Sequence, residues 1–237
     1  MRKKIKKGVI VLFSNRKHAG KLLAQKLAAM PFDKTNTIVL AIPRGGVPVA
    51  YEVARLLNLP LDIMLVKKLG APHYPELAVG SVSEDNEIFY NQQLLKELMI
   101  DSKSIDHQKE LALIKLQEVG SVLRAGSTPL ILRGKNVIVV DDGIATGSTM
   151  EVVIQVLKKR KVGNITIAAP VSSADSVEKL NKQVNRVVVL NTPNPIYSVG
   201  EWYGDYSQVE TDEVVTLLKN ISTIIPKYRT FNNAELS

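Results

Sequence analysis

The chain has 237 residues, 45% of them hydrophobic and 23% charged, which suits one large α/β domain or two small ones with a substantial core. It contains no cysteine, so disulfide frameworks, thiolate zinc sites and cysteine nucleophiles are excluded. The net charge is +8, but Arg2, Lys3, Lys4, Lys6 and Lys7 all lie in the opening MRKKIKK, so residues 1–8 read as a solvated basic tail on a body that is only mildly basic.

After the tail, GVIVLF (8–13) is too short for the apolar core of a signal peptide, and no A-x-A-like site follows. No apolar run approaches the ~20 residues needed to span a bilayer. The expectation is a cytoplasmic protein with no membrane contact.

Residues 14–30 carry an amphipathic helical pattern. TIVLAIP (37–43) reads as a buried strand, and GVPVAYEVARLLN (46–58) as a helix with Val49, Val53, Leu56 and Leu57 on one face. LDIMLVKK (61–68) is the next strand. Pro72, Pro75 and Gly70 mark 70–78 as an irregular loop, and 91–126 is long, polar and mostly helical. A strand (137–140), a helix (148–160), a strand (165–171), a helix (173–183) and a strand (186–190) then repeat the first scheme. Residues 191–208 hold the only Trp and three of the seven Tyr, among Pro and Gly; such a loop is often functional. Strand, helix, strand in succession implies right-handed crossovers. The fold class is α/β, a mostly parallel twisted sheet flanked by helices, with ligands expected at the carboxyl ends of the strands. No interdomain linker is evident, so residues 1–237 read as one domain.

The most informative stretch is VIVVDDGIATGST (137–149). An apolar run enters two adjacent aspartates, then a loop in which Gly143 and Gly147 free the backbone. Amides of Ala145, Thr146, Gly147, Ser148 and Thr149 would point at the start of a helix, an anion site suited to a phosphate. It is not a Walker A loop, for no G-K-[ST] is present, and no G-x-G-x-x-G follows any strand. Two carboxylates beside a phosphate need something between them. A polyol, a divalent cation or both would serve, and a ribose carrying a 5′-phosphate meets the requirement.

The string resembles the phosphoribosyl-diphosphate (PRPP) signature of the type I phosphoribosyltransferases. The wider set FSNRKHAGKLLAQKL, PRGGVPVA, KKLGAPHYPELAVGSV, VDDGIATGSTM and YSVGEWYGDYSQVETDEV resembles a subgroup of uncharacterised members, over about residues 13–215. The resemblance implies a parallel α/β core with a small hood and a flexible lid. It also implies PRPP and a nitrogenous, heterocyclic acceptor as partners, Mg²⁺ as cofactor, and release of pyrophosphate. By resemblance, Arg44, Gly45 and Gly46 hold the pyrophosphate, and the forked Arg beside glycine amides suits that task. Lys67 or Lys68 would add charge there, with Lys67 preferred. Asp141 and Asp142 would hold the ribose hydroxyls and the metal, and 145–149 the 5′-phosphate.

The lid is expected within 70–126, where His73 and Glu76 are candidate acid–base groups. The hood is expected at 191–208, with Tyr197, Trp202 and Tyr203 stacking on the acceptor and Glu201 and Asp205 reading its N–H groups. Hypoxanthine/guanine-type relatives carry an aspartate just before the T-G. Here Ala145 stands there, as in adenine-type relatives. A non-catalytic PRPP or nucleotide sensor that binds nucleic acid through the basic tail stays open, although the low body charge makes nucleic acid the lesser reading. A phosphoribosyl hydrolase or phosphorylase stays open too. A homodimer is common among relatives, but no residue here demands it.

Overall fold

The computed structural model describes residues 5–6, 9–10, 12–72, 74–84, 86, 88–101 and 103–225. Most of the basic tail therefore lies outside the described residues. Within it, β1 (Ile5–Lys6) pairs antiparallel with β2 (Val9–Ile10).

The first core layer is α1 (Arg16–Ala28), entered through Asn15, whose side chain accepts the amide of His18. Next come β3 (Thr37–Ala41), buried at every position, and α2 (Gly46–Leu57). The second of these helices is apolar nearly all round, as a helix wedged between layers must be. Its buried Glu52 is neutralised by Arg55 at 2.7 Å. Then follow β4 (Leu61–Ile63), β5 (Val66–Ala71), β6 (Tyr74–Ser83), β7 (Ile88–Tyr90), α3 (Gln92–Glu97) and α4 (Lys103–Arg124). The chain returns to the core with β8 (Asn136–Val140), α5 (Ser148–Lys159), β9 (Ile165–Val171), α6 (Ala174–Asn181) and β10 (Arg186–Asn191), and α7 (Thr211–Ile224) is the last element among the described residues.

Five strands form one all-parallel sheet in the order β10-β9-β8-β3-β4. Alternate residues feed two apolar layers. Val39, Ala41, Ile138 and Val140 face the side of α1, α2 and α7. Ile38, Leu40, Val137 and Val139 face the side of α5 and α6. The order reverses between β3 and β8: after β3 the chain moves to β4, and after β8 it moves to β9. The loops at their carboxyl ends therefore diverge and leave a crevice.

The expected strand 61–68 is in fact two. Its parallel pairing stops after Ile63, with a last bond from the Met64 amide to the Ala41 carbonyl at 2.9 Å. The chain then leaves the sheet, and Lys67 and Lys68 sit on β5, in a three-stranded antiparallel ribbon β5-β6-β7. A buried parallel strand has no place for two cations, whereas a ribbon exposes one face. The irregular loop expected at 70–78 is the end of that ribbon's first hairpin, with shifted pairing at Leu69–Ala71. The excursion at 91–126 is helical as expected. α7 was not foreseen; it packs on α2, β4 and α4. Among the described residues no helix is long and apolar enough to cross a membrane.

Candidate functional site

The crevice at the switch point is a 430 Å³ cavity, within the range of small-ligand sites. It is lined by Arg16, Ile42, Pro43, Arg44, Gly45, Asp141, Asp142, Thr149, Tyr206, Gln208 and Val209. The loops after β3 and β8 meet here because their strands are neighbours, Ala41 lying opposite Val140.

The two loops are packed too closely for anything but glycine. A Cβ on Gly45 would lie 2.2 Å from Asp142 Oδ2, and one on Gly46 would lie 2.8 Å from the Val140 carbonyl oxygen. A Cβ on Gly143 would strike Val199 at 2.3 Å. Gly147 differs: its φ is 75°, so it supplies the left-handed residue that turns the loop into α5.

The loop between β8 and α5 is braced from behind. Ser173 Oγ and Ser176 Oγ both donate to the Ala145 carbonyl, at 2.8 and 2.9 Å. The Ile144 amide bonds the Val171 carbonyl at 2.9 Å, and the Ser173 amide bonds the Ile144 carbonyl at 3.0 Å. These bonds hold the carbonyl side of the loop against the corner of β9 and α6. Thr146 and Ser148 share a hydroxyl contact of 3.0 Å at the exposed start of α5. Lys68 donates to Ser148 Oγ, so the ribbon brings its cation to this loop. Lys67 points elsewhere and lines a neighbouring 680 Å³ cavity together with Arg44. The two lysines thus hold different stations, Lys67 beside Arg44 and Lys68 at Ser148, as expected for successive strand residues facing opposite sides. Arg44 is partly exposed and reaches only to 3.9 Å of Glu210.

The adjacent aspartates are unequal. Asp142 is buried and its Oδ2 accepts from Arg16 Nε at 2.8 Å. Burial alone would lower the Arg16 pKa, but the hydrogen bond and charge of Asp142 outweigh it, and the net shift is upward. Among the described residues no cation pairs directly with Asp141, and Arg16 acts on it only through its charge. Burial, and then the charge of Asp142, push its carboxyl well above the usual carboxylate range. Its Oδ1 accepts the Asp142 amide at 2.9 Å. Among the described residues no group of three or more His, Asp or Glu side chains is placed to hold a metal.

The hood residues need correction. Tyr203 is 1% exposed, and its hydroxyl donates to the Asp142 carbonyl at 2.5 Å. Burial pushes its hydroxyl pKa far upward. It packs with Phe13, Trp202, Ile196 and Val199 into an apolar plug, so its face is not open to an acceptor. Trp202 is half-buried in the same plug, at the end of a 3-10 turn over Val199–Trp202. Tyr197 is 81% exposed and lines none of the crevice. Asp205 is engaged in capping the Ser207 amide at 3.0 Å, and Glu201 is exposed. His73 lies outside the described residues, and Glu76 falls within β6.

The aromatic that lines the crevice is Tyr206, over whose ring the Arg16 guanidinium carbon lies 3.9 Å from the centroid. Its hydroxyl is pushed up to about 12, by burial first and then by Asp142. Sequence reasoning missed Arg16, Tyr206, Ser173 and Ser176. The first two lie inside stretches that carry the family resemblance, but no local pattern shows that they meet.

Residues 12–203 match the family model of the phosphoribosyl transferase domain. A provisionally named phosphoribosyl transferase of Mycobacterium tuberculosis, Rv0571c, is 38% identical over 207 residues, which cover 87% of this chain and 46% of that protein. The chain thus spans about half the length of the curated relatives it first matches. A ribose-phosphate pyrophosphokinase of Pyrococcus furiosus is 25% identical over 178 residues, 67% of this chain and 64% of that one. The crystal structure of the protein TT1426 from Thermus thermophilus superposes with a TM-score of 0.80 at 35% identity, covering 88% of this chain and 98% of that one.

Proposed function

Because the chain belongs to the phosphoribosyl transferase family, we propose that it transfers the 5-phosphoribosyl group of PRPP to a nitrogenous, heterocyclic acceptor and releases pyrophosphate. One observation carries this reading: Arg44 and Gly45, the Asp141–Asp142 pair and Thr149, the last residue of the 145–149 stretch, line one crevice between β3 and β8.

Their chemistry is complementary to the two ends of PRPP. Amides at the start of α5, Ser148 and Lys68 suit the 5′-phosphate. The amides and guanidinium of the Arg44–Gly46 loop suit the pyrophosphate. As the bond from C1 to the pyrophosphate oxygen breaks, negative charge grows on the leaving group and positive charge on the ribose ring. Arg44 then stabilises the first and the two carboxylates the second. Asp141 is the carboxylate that Arg16 does not pair with, and its raised affinity for a proton suits a group that accepts from a ribose hydroxyl or the acceptor N–H.

Mg²⁺ would be held with few protein contacts, since among the described residues two carboxylates line the crevice and Arg16 already pairs with one. When bound, it would neutralise the pyrophosphate, with Asp141 and Asp142 as its protein oxygens. Ala145 removes the side chain through which an aspartate would assist a purine ring, so proton removal falls to other groups.

The test is calorimetric titration with PRPP, with and without Mg²⁺, on the parent and on Asp142→Asn. Saturable Mg²⁺-dependent binding that the substitution weakens supports the reading, and a screen of bases for pyrophosphate release then defines the acceptor. A parent protein that does not bind PRPP sinks it.

A further inference from the structure

Arg16 is the first residue of α1, where the helix dipole disfavours a cation. It is nevertheless 11% exposed at the side chain and held on three sides. Nε donates to Asp142 Oδ2 at 2.8 Å, Nη1 donates to the Ser207 carbonyl at 2.7 Å, and the guanidinium carbon lies over Tyr206, 3.9 Å from its centroid. Tyr206 in turn packs on Tyr203 with ring centroids 5.2 Å apart, and Tyr203 donates to the Asp142 carbonyl at 2.5 Å. The contacts close a ring: Arg16, Asp142, Tyr203, Tyr206 and back to Arg16. Three distant segments meet in it, namely the start of α1, the acidic strand end and the hood.

We infer that Arg16 is a positioning residue of the phosphoribosyl site, fixing the Asp142 carboxylate and hood residues 206–207 as one body. The inference rests on the PRPP reading above. Its physical basis is the planar fork. A guanidinium can satisfy a carboxylate and a carbonyl at once and still stack on an aromatic ring, whereas an ammonium supplies only the charge. Backbone bonds to Leu12, Phe13 and Ser14 hold residues 202–205 of the hood independently, so Arg16 acts on 206–207; without it the buried Asp142 would lie unneutralised beside Asp141, and residues 206–207 would lose their tie to that carboxylate. Arg16, Asp142 and Tyr206 line the same crevice, so the ribose end and the wall facing it are set by one side chain.

The experiment compares the parent, Arg16→Lys, Arg16→Met and Tyr206→Leu. Each is melted to establish that it folds, titrated with PRPP and Mg²⁺, and followed by amide hydrogen exchange over 204–208. Arg16→Met is expected to bind PRPP on the order of tenfold more weakly, the equivalent of one charge-assisted hydrogen bond. Exchange at 206–208 is expected to quicken, while the 204 and 205 amides, bonded to Phe13 and Ser14, stay slow. Arg16→Lys, restoring charge without the fork, should recover the melting temperature but not the affinity or the slow exchange. Tyr206→Leu should quicken exchange and leave the fold intact.

Parent-like PRPP affinity in Arg16→Lys would overturn the inference, because charge alone would then suffice. Unchanged exchange in Arg16→Met would overturn it as well. A parent that fails to bind PRPP is the failure of the underlying reading instead, and it is told apart because the exchange comparison needs no ligand.

Discussion

Arg124 offers the sharpest test of how the ribbon that carries Lys67 and Lys68 is tied to the core. It ends α4 and pairs with Asp62 of β4 and with Glu84, just past β6, at 2.6 Å; it also donates to the Ile63 carbonyl at 3.0 Å. The three side chains are 8%, 10% and 11% exposed. Asp62 is further engaged by the Leu130 and Ile63 amides, both at 2.7 Å. Burial alone would lower the Arg124 pKa, but the Glu84 hydrogen bond and the Asp62 charge prevail and raise it.

Arg124→Met keeps a stem of similar length, so little packing is lost, but it strands two buried carboxylates. Breaking a buried pair from one side costs about 3–5 kcal/mol, against about 0–1 kcal/mol for an exposed pair. At roughly 2–4 °C per kcal/mol for a chain of this size, the melting temperature should fall by roughly 10 °C. The assay is urea denaturation of the parent and variant at pH 7 and pH 5. The variant should recover stability at pH 5, where the stranded carboxylates take up protons more readily. Adding Glu84→Gln should recover part of the loss at pH 7, since it removes one of the two charges. A loss below about 1 kcal/mol, with no recovery on acidification, would refute the reasoning, because the network would then behave as an exposed one.

Three other outcomes follow from the site. Asp141→Asn should stabilise the fold at neutral pH while cutting PRPP turnover by on the order of 10²-fold or more. The sign comes from its raised folded pKa: parent stability falls as pH rises from the ordinary carboxylate range through the raised value, so the Asn advantage should vanish in acid, and an advantage that persists there would count against the burial argument. Gly45→Ala has no conformational penalty, since φ is −59°, yet its Cβ would lie 2.2 Å from Asp142 Oδ2. Denaturant titration should show a loss of about 1–3 kcal/mol from overpacking, and a gain would show that the two loops are not in contact. Ser176→Ala removes one of two donors to Ala145 and should cost about 0.5–1.5 kcal/mol while weakening PRPP binding several-fold. Calorimetry checks the affinity, and parent-like affinity would free the loop from its brace.

The alternation of strands and helices, the parallel sheet and the glycine loop between β8 and α5 were legible because each is written in local pattern. A β-branched run ending in VDDGIATGST carries its own strand, turn and helix start within thirteen residues. The strand expected at 61–68 failed for a reason of the same kind. Its apolar run is continuous, and nothing local says that pairing with β3 stops after Ile63. α7 was legible too: Val214, Leu217, Leu218, Ile221 and Ile225 recur at helical spacing after the acidic first turn of Asp212 and Glu213, and what the spacing leaves open is where that helix packs.

The hood shows the limit more plainly. An aromatic loop predicts apolar contact but not its direction, and Tyr203 turned inward while Tyr206 turned toward the crevice.

By itself, then, the sequence determined the fold class, the two glycine loops at the strand ends and the family, because glycine positions, acidic pairs and periodicity act over a few residues. Only the tertiary structure decided that Arg16 pairs with Asp142 rather than Asp141, that Lys68 reaches Ser148 while Lys67 lies beside Arg44, and that two serines of the β9–α6 corner hold Ala145. Each of these is a contact across dozens to more than a hundred residues, set by which strands lie side by side. Charge balance in a buried site depends on distance in space, and no spacing along the chain encodes it.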